Sequence, residues 1–407
     1  MEKLFKRKVV QDGAWYTLAN IVTQLSSLVG VLFVSRYLGP TNLGIYSFVQ
    51  NYIAAFVTVL AGVDIYANWY IVKSKDYYSE LRHYIFQKSI ITGGVLAILI
   101  VCAFVFLPKD ILVFLPFLCL PLLANVCASC VFVLQYHNKA KLVALGMIVS
   151  PIILMAAKIL AVITEQKLIV FVAINSLDGL LLIALATYYI FIIRGRKINK
   201  QEEKLQSFRQ LIKNSVYGVI YIFFWYLVTR ADQFVIPAYF NAYSLGVYSA
   251  AVKVIEMANV LIVVLQLLVL PRIIYILGEE GGTRKIHITI GVYMLAGVLA
   301  AGAIQILAPV VVGLLFGPAF IETASILRIY AWSMPGLFVS YLFSVVAMAN
   351  STIKPLAFHS VITALVMLGG LFYVSDTGNM LAVASISVIV YTLSAITLYV
   401  MWRKKYI

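Results

Sequence analysis

Seven ionisable side chains stand well inside long apolar runs of this sequence: Lys158, Asp178, Arg230, Asp232, Lys253, Glu256 and Arg328. On the lenient insertion scale a charge at the bilayer centre costs about 2.5–3.5 kcal/mol. Seven of them facing lipid would outweigh the about 5–15 kcal/mol by which a typical fold is stable. They therefore belong against a protein interior or a wet cavity. Mixed charge suits a hydrated cavity for an anionic head group. Lys158, Arg230, Lys253 and Arg328 are its candidate binding cations. Asp178, Asp232 and Glu256 are candidate carboxylates for a coupling proton or sodium ion.

Neutral groups accompany the charges. Gly13, Thr17, Asn20, Gln24 and Ser27 recur at steps of four and three, which is one face of a helix. Ser249, Lys253, Glu256, Asn259 and Gln266 form a second stripe, and Tyr217, Tyr221, Trp225 and Val228 a third that leads to Asp232. Amides, hydroxyls and rings are groups that bind sugars, which makes Asn20, Gln24 and Trp225 candidate substrate contacts. Each assignment has a structural alternative. Lys253 and Glu256 are three apart and can pair on one helix. Arg230 and Asp232 can lock their helix to a neighbour. Lys158 can snorkel, and the first stripe can be small-residue helix packing.

The elements that must carry these residues are membrane spans. Of 407 residues, 63% are hydrophobic and 12% charged, and mean hydropathy is +0.99. A soluble chain keeps roughly a quarter of its residues charged. Apolar runs between charged or Pro/Gly breaks predict twelve spans, each near the length a helix needs to cross a bilayer. They cover 13–35, 43–65, 85–107, 111–135, 142–164, 168–193, 214–236, 245–270, 287–308, 320–348, 356–375 and 379–402. The apolar run behind the basic start is a full span without a small-residue cleavage site, so no cleavable signal peptide is expected.

Lys and Arg distribution predicts orientation. One side holds Lys3, Lys6, Arg7, Lys8, Lys73, Lys75, Arg82, Lys88, Lys139, Lys141 and the basic residues of 194–213. It also holds Arg272, Arg284, Lys285, Lys354 and Arg403–Lys405. The other side has Arg36, Lys109 and Lys167. Both termini are thus expected in the cytoplasm. The excess of 31 Lys+Arg over 16 Asp+Glu reads as loop charge facing anionic headgroups, not as nucleic-acid binding.

The polar stretch 194–213 divides the chain into residues 1–193, with six spans, and 214–407, with six more. Tyr37-Leu-Gly-Pro-Thr-Asn-Leu-Gly-Ile-Tyr-Ser47 and Tyr239-Phe-Asn-Ala-Tyr-Ser-Leu-Gly-Val-Tyr-Ser249 match at a constant offset of 202 residues. Each joins the first two spans of its half. Six spans per half give both halves the same orientation, a parallel repeat about an axis along the membrane normal, with a cavity between two lobes.

Enzyme signatures are missing. There is no Walker A motif and no H-E-x-x-H. His83, His137, His287 and His359 form no cluster in sequence, so neither metal nor cofactor is expected. Cys127-x-x-Cys130 lies inside a predicted span, beside Cys102 and Cys119 in other apolar runs, and reads as inert packing.

Three segments carry a family resemblance. They are Ser35-Arg-Tyr-Leu-Gly-Pro-Thr-Asn-Leu-Gly-Ile-Tyr-Ser-Phe48, Asp232 with Leu245-Gly-Val-Tyr-Ser-Ala-Ala-Val-Lys253, and Leu314-Leu-Phe-Gly-Pro-Ala-Phe-Ile-Glu-Thr-Ala-Ser-Ile-Leu-Arg328. In order, on twelve spans, they resemble the O-antigen or capsule repeat-unit flippases of the Wzx type. That type belongs to the multidrug/oligosaccharidyl-lipid/polysaccharide exporter superfamily. The resemblance implies an all-α integral membrane protein of about twelve transmembrane helices, two six-helix lobes in a V around a central cavity. It implies a bacterial inner-membrane location and a substrate of undecaprenyl-diphosphate bearing one oligosaccharide unit. Movement would run from the cytoplasmic to the outer leaflet, with a polysaccharide polymerase and chain-length proteins as partners. Arg230, Lys253, Arg328 and Lys158 would then attract the diphosphate. Related lipid II flippases carry arginines in the first span; Asn20 and Gln24 stand here instead, so no first-span cation carries over. The competing reading is a cation-coupled multidrug or metabolite antiporter of the same superfamily. Against it, the first span has no carboxylate past Asp12. A polymerase or glycosyltransferase would need a large catalytic loop, and none is available.

Overall fold

The computed structural model describes residues 2–74, 77–136, 140–194, 207–258, 262, 282–349 and 352–404. Every regular element among them is helical. Ten helices among the described residues are long and apolar enough to cross a membrane, so this is a multi-pass membrane protein. One of the ten holds two predicted spans, and the second half of predicted span 245–270 lies outside the described residues, as do Asn259, Gln266 and most of the 194–213 stretch.

Helix α1 (Glu2–Lys73) consists of two arms that meet at Gly39, whose φ of 68° is open to glycine and costly for other residues. Pro40 then opens the second arm, where its missing N–H costs nothing. There follow α2 (Tyr77–Phe106), the short α3 (Lys109–Leu112), α4 (Leu115–Asn125) and α5 (Ser129–Tyr136). Next come α6 (Ala140–Ile163), α7 (Leu168–Ser176) and α8 (Leu180–Tyr188), which runs into a π-helical turn, Tyr189–Arg194. Two predicted spans of residues 1–193 are therefore interrupted. Span 111–135 breaks at 126–128, and span 168–193 breaks at Leu177–Gly179, where Gly179 has φ 74°.

Helix α9 (Phe208–Tyr239) begins six residues before the predicted span. Ser207 and Gln210 explain the difference. Each side chain bonds the other's backbone N–H, at 3.3 and 3.4 Å, a reciprocal cap that starts the helix in the polar stretch. Helix α10 (Ala242–Ala258) is capped by Asn241, which accepts from the Ser244 N–H. The remainder is α11 (Gly282–Phe316), α12 (Thr323–Tyr330), α13 (Met334–Ala349), α14 (Ile353–Ser375) and α15 (Met380–Arg403). Short 3₁₀ turns, Pro318–Phe320 and Ala331–Ser333, join α11 to α12 and α12 to α13.

The chain forms two compact units, Met1–Tyr37 with Tyr52–Ile222, and Leu38–Asn51 with Phe223–Ile407. They differ from the halves 1–193 and 214–407 in two segments, and glycines explain both. Within the second unit the repeat copies pack on one another. Gly44 lies against the Ala242 carbonyl, and Gly246 against the Pro40 carbonyl, so close that a Cβ on either would collide. Pro40 and Ala242 are themselves equivalent at the 202-residue offset, so the contact is reciprocal, as between two-fold-related segments. Within the first unit, Gly218 lies against the Gly62 carbonyl, where a Cβ would sit at 2.9 Å, which holds the start of α9 to the second arm of α1.

Candidate functional site

In the second unit, Arg230 of α9 donates from Nη2 to Glu256 Oε1 of α10. Lys253 Nζ lies 3.3 Å from Glu256 Oε2, one turn earlier on the same helix. The three side chains keep 22, 23 and 28% exposure, so they are accessible to a ligand. Beside them is a cavity of about 70 Å³, lined by Arg230, Glu256, Ser333, Tyr330, Tyr341 and Tyr391. It holds a few waters and no more. The hydroxyl of Ser333 lines it without a protein partner. Trp225 stands one turn along α9 from Thr229, its ring edge-on to Tyr341 at 6.1 Å.

Asp232 is fully enclosed two residues beyond Arg230. Tyr248 O–H donates to its Oδ2 at 2.8 Å, and the Gln233 N–H donates to Oδ1 at 2.8 Å. Gln233 Oε1 accepts from Asn51 Nδ2 at 2.8 Å and from Ser249 Oγ at 3.1 Å, while Tyr226 O–H donates to the Asn51 carbonyl at 2.9 Å. The third polar stripe thus faces inward along α9. Tyr221 and Val228 are buried, and Trp225 half-buried.

Arg328 is placed elsewhere. The α12 helix turns Leu327 and Tyr330 into the core and leaves Arg328 exposed. It lines a separate open cleft of about 300 Å³ with Gln305, Trp332 and Ser385. It does not join Arg230, Lys253 and Glu256.

In the first unit, Lys158 is buried, and its Nζ lies 3.2 Å from Asn175 Oδ1. Gly30 packs on its aliphatic stem. Asp178 is exposed, in the break between α7 and α8. Asn20 is half-buried and Gln24 exposed, both on the first arm of α1. The side chains of Gly13 and Thr17 lie outside the described residues.

The same unit holds a polar centre that the sequence reading passed over. Lys88, counted there among loop cations, is fully buried and lies 2.7 and 2.8 Å from the two oxygens of Asp64. Tyr84 O–H donates to Asp64 at 2.6 Å and Ser129 Oγ at 3.1 Å. Lys88 also donates to the Asn125 carbonyl at 2.6 Å, at the end of α4, where that oxygen accepts as well from the Ala128 N–H of the turn that follows. The signal was present: Asp64 ends predicted span 43–65 and Lys88 stands inside predicted span 85–107. Lys88, close to the span end, counts among the loop cations by position alone, and Asp64 has no place among the candidate residues.

A family model described as "Polysaccharide biosynthesis protein" matches residues 9–276. No curated protein matches the sequence. Solved structures share the fold at low identity. The inward-facing conformation of a multidrug resistance MATE family transporter of the MOP superfamily superposes with TM-score 0.73 at 13% identity, covering 94% of each chain. The outward-facing conformation of such a transporter gives 0.70 at 13%, covering 98% of this chain and 96% of the other. A MOP superfamily transporter from Pyrococcus furiosus, whose binding pocket is described as of reverse polarity, gives 0.71 at 15% with the same coverage.

Proposed function

Since this chain belongs to the polysaccharide biosynthesis protein family, we propose that it is a flippase for undecaprenyl-diphosphate-linked oligosaccharide units, moving them from the cytoplasmic to the outer leaflet of a bacterial inner membrane. The reading rests on one observation above others: two cations, Arg230 and Lys253, share a single carboxylate, Glu256, in partly open surroundings. The trio carries a surplus positive charge, with Arg230 on a helix long and apolar enough to span a membrane and Lys253 and Glu256 in predicted span 245–270. A diphosphate supplies the anion that such a surplus favours, and arginine grips it bidentately.

A mechanism follows from the sharing. With no substrate, Glu256 holds both cations and lowers their cost of burial. A diphosphate arriving at Arg230 competes with Glu256, whose carboxylate falls back on Lys253 or takes up a proton. Loading of substrate and protonation of Glu256 are thereby linked. Asp232 and Asp178 are further coupling candidates in this scheme. Residues 1–193 and 214–407, joined by 194–213, would rock in alternating access, with both termini in the cytoplasm.

Reconstituted vesicles test the proposal. A polyprenyl-diphosphate oligosaccharide placed in one leaflet should become accessible to a lectin on the other side, in a protein-dependent way. Arg230→Ala and Lys253→Ala should slow that movement at unchanged protein level. If movement is unaltered in both variants, the cationic site proposed here does not carry the substrate. Export of a cationic drug with no lipid movement would favour the antiporter.

A further inference from the structure

Arg328 has no ion pair and no side-chain hydrogen bond among the described residues, unlike Lys88, Lys158, Arg230 and Lys253. It stands on α12, roughly 8 Å along the helix from its start at Thr323. Ser385 stands across the cleft, roughly 8 Å into α15 from Met380. Gln305 of α11 and Trp332 complete the cleft of about 300 Å³. Its donors are one guanidinium, one amide and one indole N–H; the Ser385 hydroxyl donates to the Leu381 carbonyl at 2.9 Å and offers the cleft an acceptor, and no carboxylate lines it.

The surroundings identify where the cleft opens. Ile389 of α15, half exposed, lines the cleft itself, Ile306 next to Gln305 is exposed, and the same two helices expose Leu299, Val310 and Ile396. An apolar stripe of this kind on membrane-crossing helices meets acyl chains. A guanidinium on such a surface is unstable without an anion, and the anions available at the edge of the hydrocarbon are lipid phosphates. Trp332 is 45% exposed, with the amphipathic ring that settles at headgroup level.

We propose that this cleft binds the headgroup of an ambient anionic phospholipid, with Arg328 on its phosphate, Gln305 on its glycerol and phosphate oxygens, Ser385 Oγ accepting from a glycerol hydroxyl, and Trp332 beside its upper acyl chain. Position decides against the transported substrate: the cleft has room for a phosphate and glycerol, and it shares no lining residue with the cavity beside Arg230. The lipid bound here is thus a resident of the protein's flank, whatever the protein carries.

Full-length protein, purified in detergent with equal phosphatidylglycerol and phosphatidylethanolamine, can be examined by native mass spectrometry. The wild type should retain one phosphatidylglycerol in preference to phosphatidylethanolamine. Arg328→Gln should lower that retention about tenfold or more, as loss of a charge-assisted contact implies, and Arg328→Lys should keep most of it. Equal retention of both lipids by the wild type would overturn the proposal without reference to any variant. So would undiminished phosphatidylglycerol on Arg328→Gln. Displacement of the bound lipid by polyprenyl diphosphate at equimolar amounts would also overturn it, since the cleft would then be a carrier-lipid site.

Discussion

Gly44 and Gly246, equivalent residues of the two repeat copies, pack with backbones nearly touching: a Cβ on Gly44 would lie 2.9 Å from the Gly246 nitrogen, and one on Gly246 3.1 Å from the Gly44 nitrogen. The neighbours that would have to yield are backbone atoms of Pro40 and Ala242, not flexible side chains. Small residues let membrane helices approach in this way. Gly44→Ala and Gly246→Ala should therefore each destabilise the protein by about 1–3 kcal/mol or more, as overpacking does. Gly93→Ala is the control. That glycine is helical and its Cβ would meet nothing within 4 Å, so alanine should be neutral or stabilising by about 0.4–1 kcal/mol. Melting temperatures of the three variants in one detergent check the contrast.

The Arg230–Glu256–Lys253 trio separates stability from transport. Arg230→Ala leaves Glu256 paired with Lys253, so the protein should fold and move less substrate. The double variant Arg230→Ala/Lys253→Ala strips Glu256 of both partners and should cost about 3–5 kcal/mol, the penalty for a carboxylate stranded in low dielectric. Adding Glu256→Gln to that double variant should restore stability and leave transport lost. Thermal unfolding and lectin accessibility, measured on the same preparations, read the two effects. Recovery of transport in the triple variant would show that the surplus charge is dispensable.

Lys88 and Asp64 make the corresponding case in the first unit. Lys88→Met alone strands Asp64, which is 13% exposed and would keep only Tyr84 and Ser129. Asp64→Leu alone strands a fully buried ammonium. Each should cost about 3–5 kcal/mol, whereas the combination Asp64→Leu/Lys88→Met should lie within about 2 kcal/mol of wild type. A double-mutant cycle on unfolding checks the coupling. Additive losses would mean that the pair contributes little as a pair.

These residues also show what the sequence revealed. Span positions followed from hydropathy, and the repeat followed from register, because lipid and chain symmetry act on composition directly. Side-chain direction did not follow. Arg328 and Tyr330 are two residues apart on one short helix, yet Tyr330 enters the core and Arg328 leaves it, a rotation of about 200° at 3.6 residues per turn. No periodicity fixes which of the two points inward until α11 and α15 are in place. Lys88 was read as a loop charge because charge near a span edge ordinarily meets water. It is buried because Asp64, Tyr84, Ser129 and the Asn125 carbonyl converge from four different helices. Such convergence is a property of packing, invisible to a reading along the chain. The break at 126–128 leaves no mark in composition, since Val-Cys-Ala continues the apolar run, whereas the break at Leu177–Gly179 is marked by Asp178 and by Gly179 at φ 74°.

Asp232 offers the sharpest separation of structure from ion coupling. It accepts from Tyr248 and from the Gln233 N–H, and no described ion pair includes it. Asp232→Asn keeps an oxygen acceptor for one of those donors and removes the charge, so the protein should stay folded within about 1.5 kcal/mol. Asp232→Ala leaves the Tyr248 hydroxyl buried and unpaired, at a cost of about 1–3 kcal/mol. Under an imposed proton or sodium gradient, a coupling role predicts that Asp232→Asn loses the gradient-driven part of transport but retains slow equilibration. A purely structural role predicts the opposite ordering: Asp232→Asn would transport like wild type, and only Asp232→Ala would fail, in step with its lower melting temperature. Vesicles assayed with and without the gradient, on both variants, decide between the two, because only the coupling role makes the asparagine variant stable yet indifferent to the gradient.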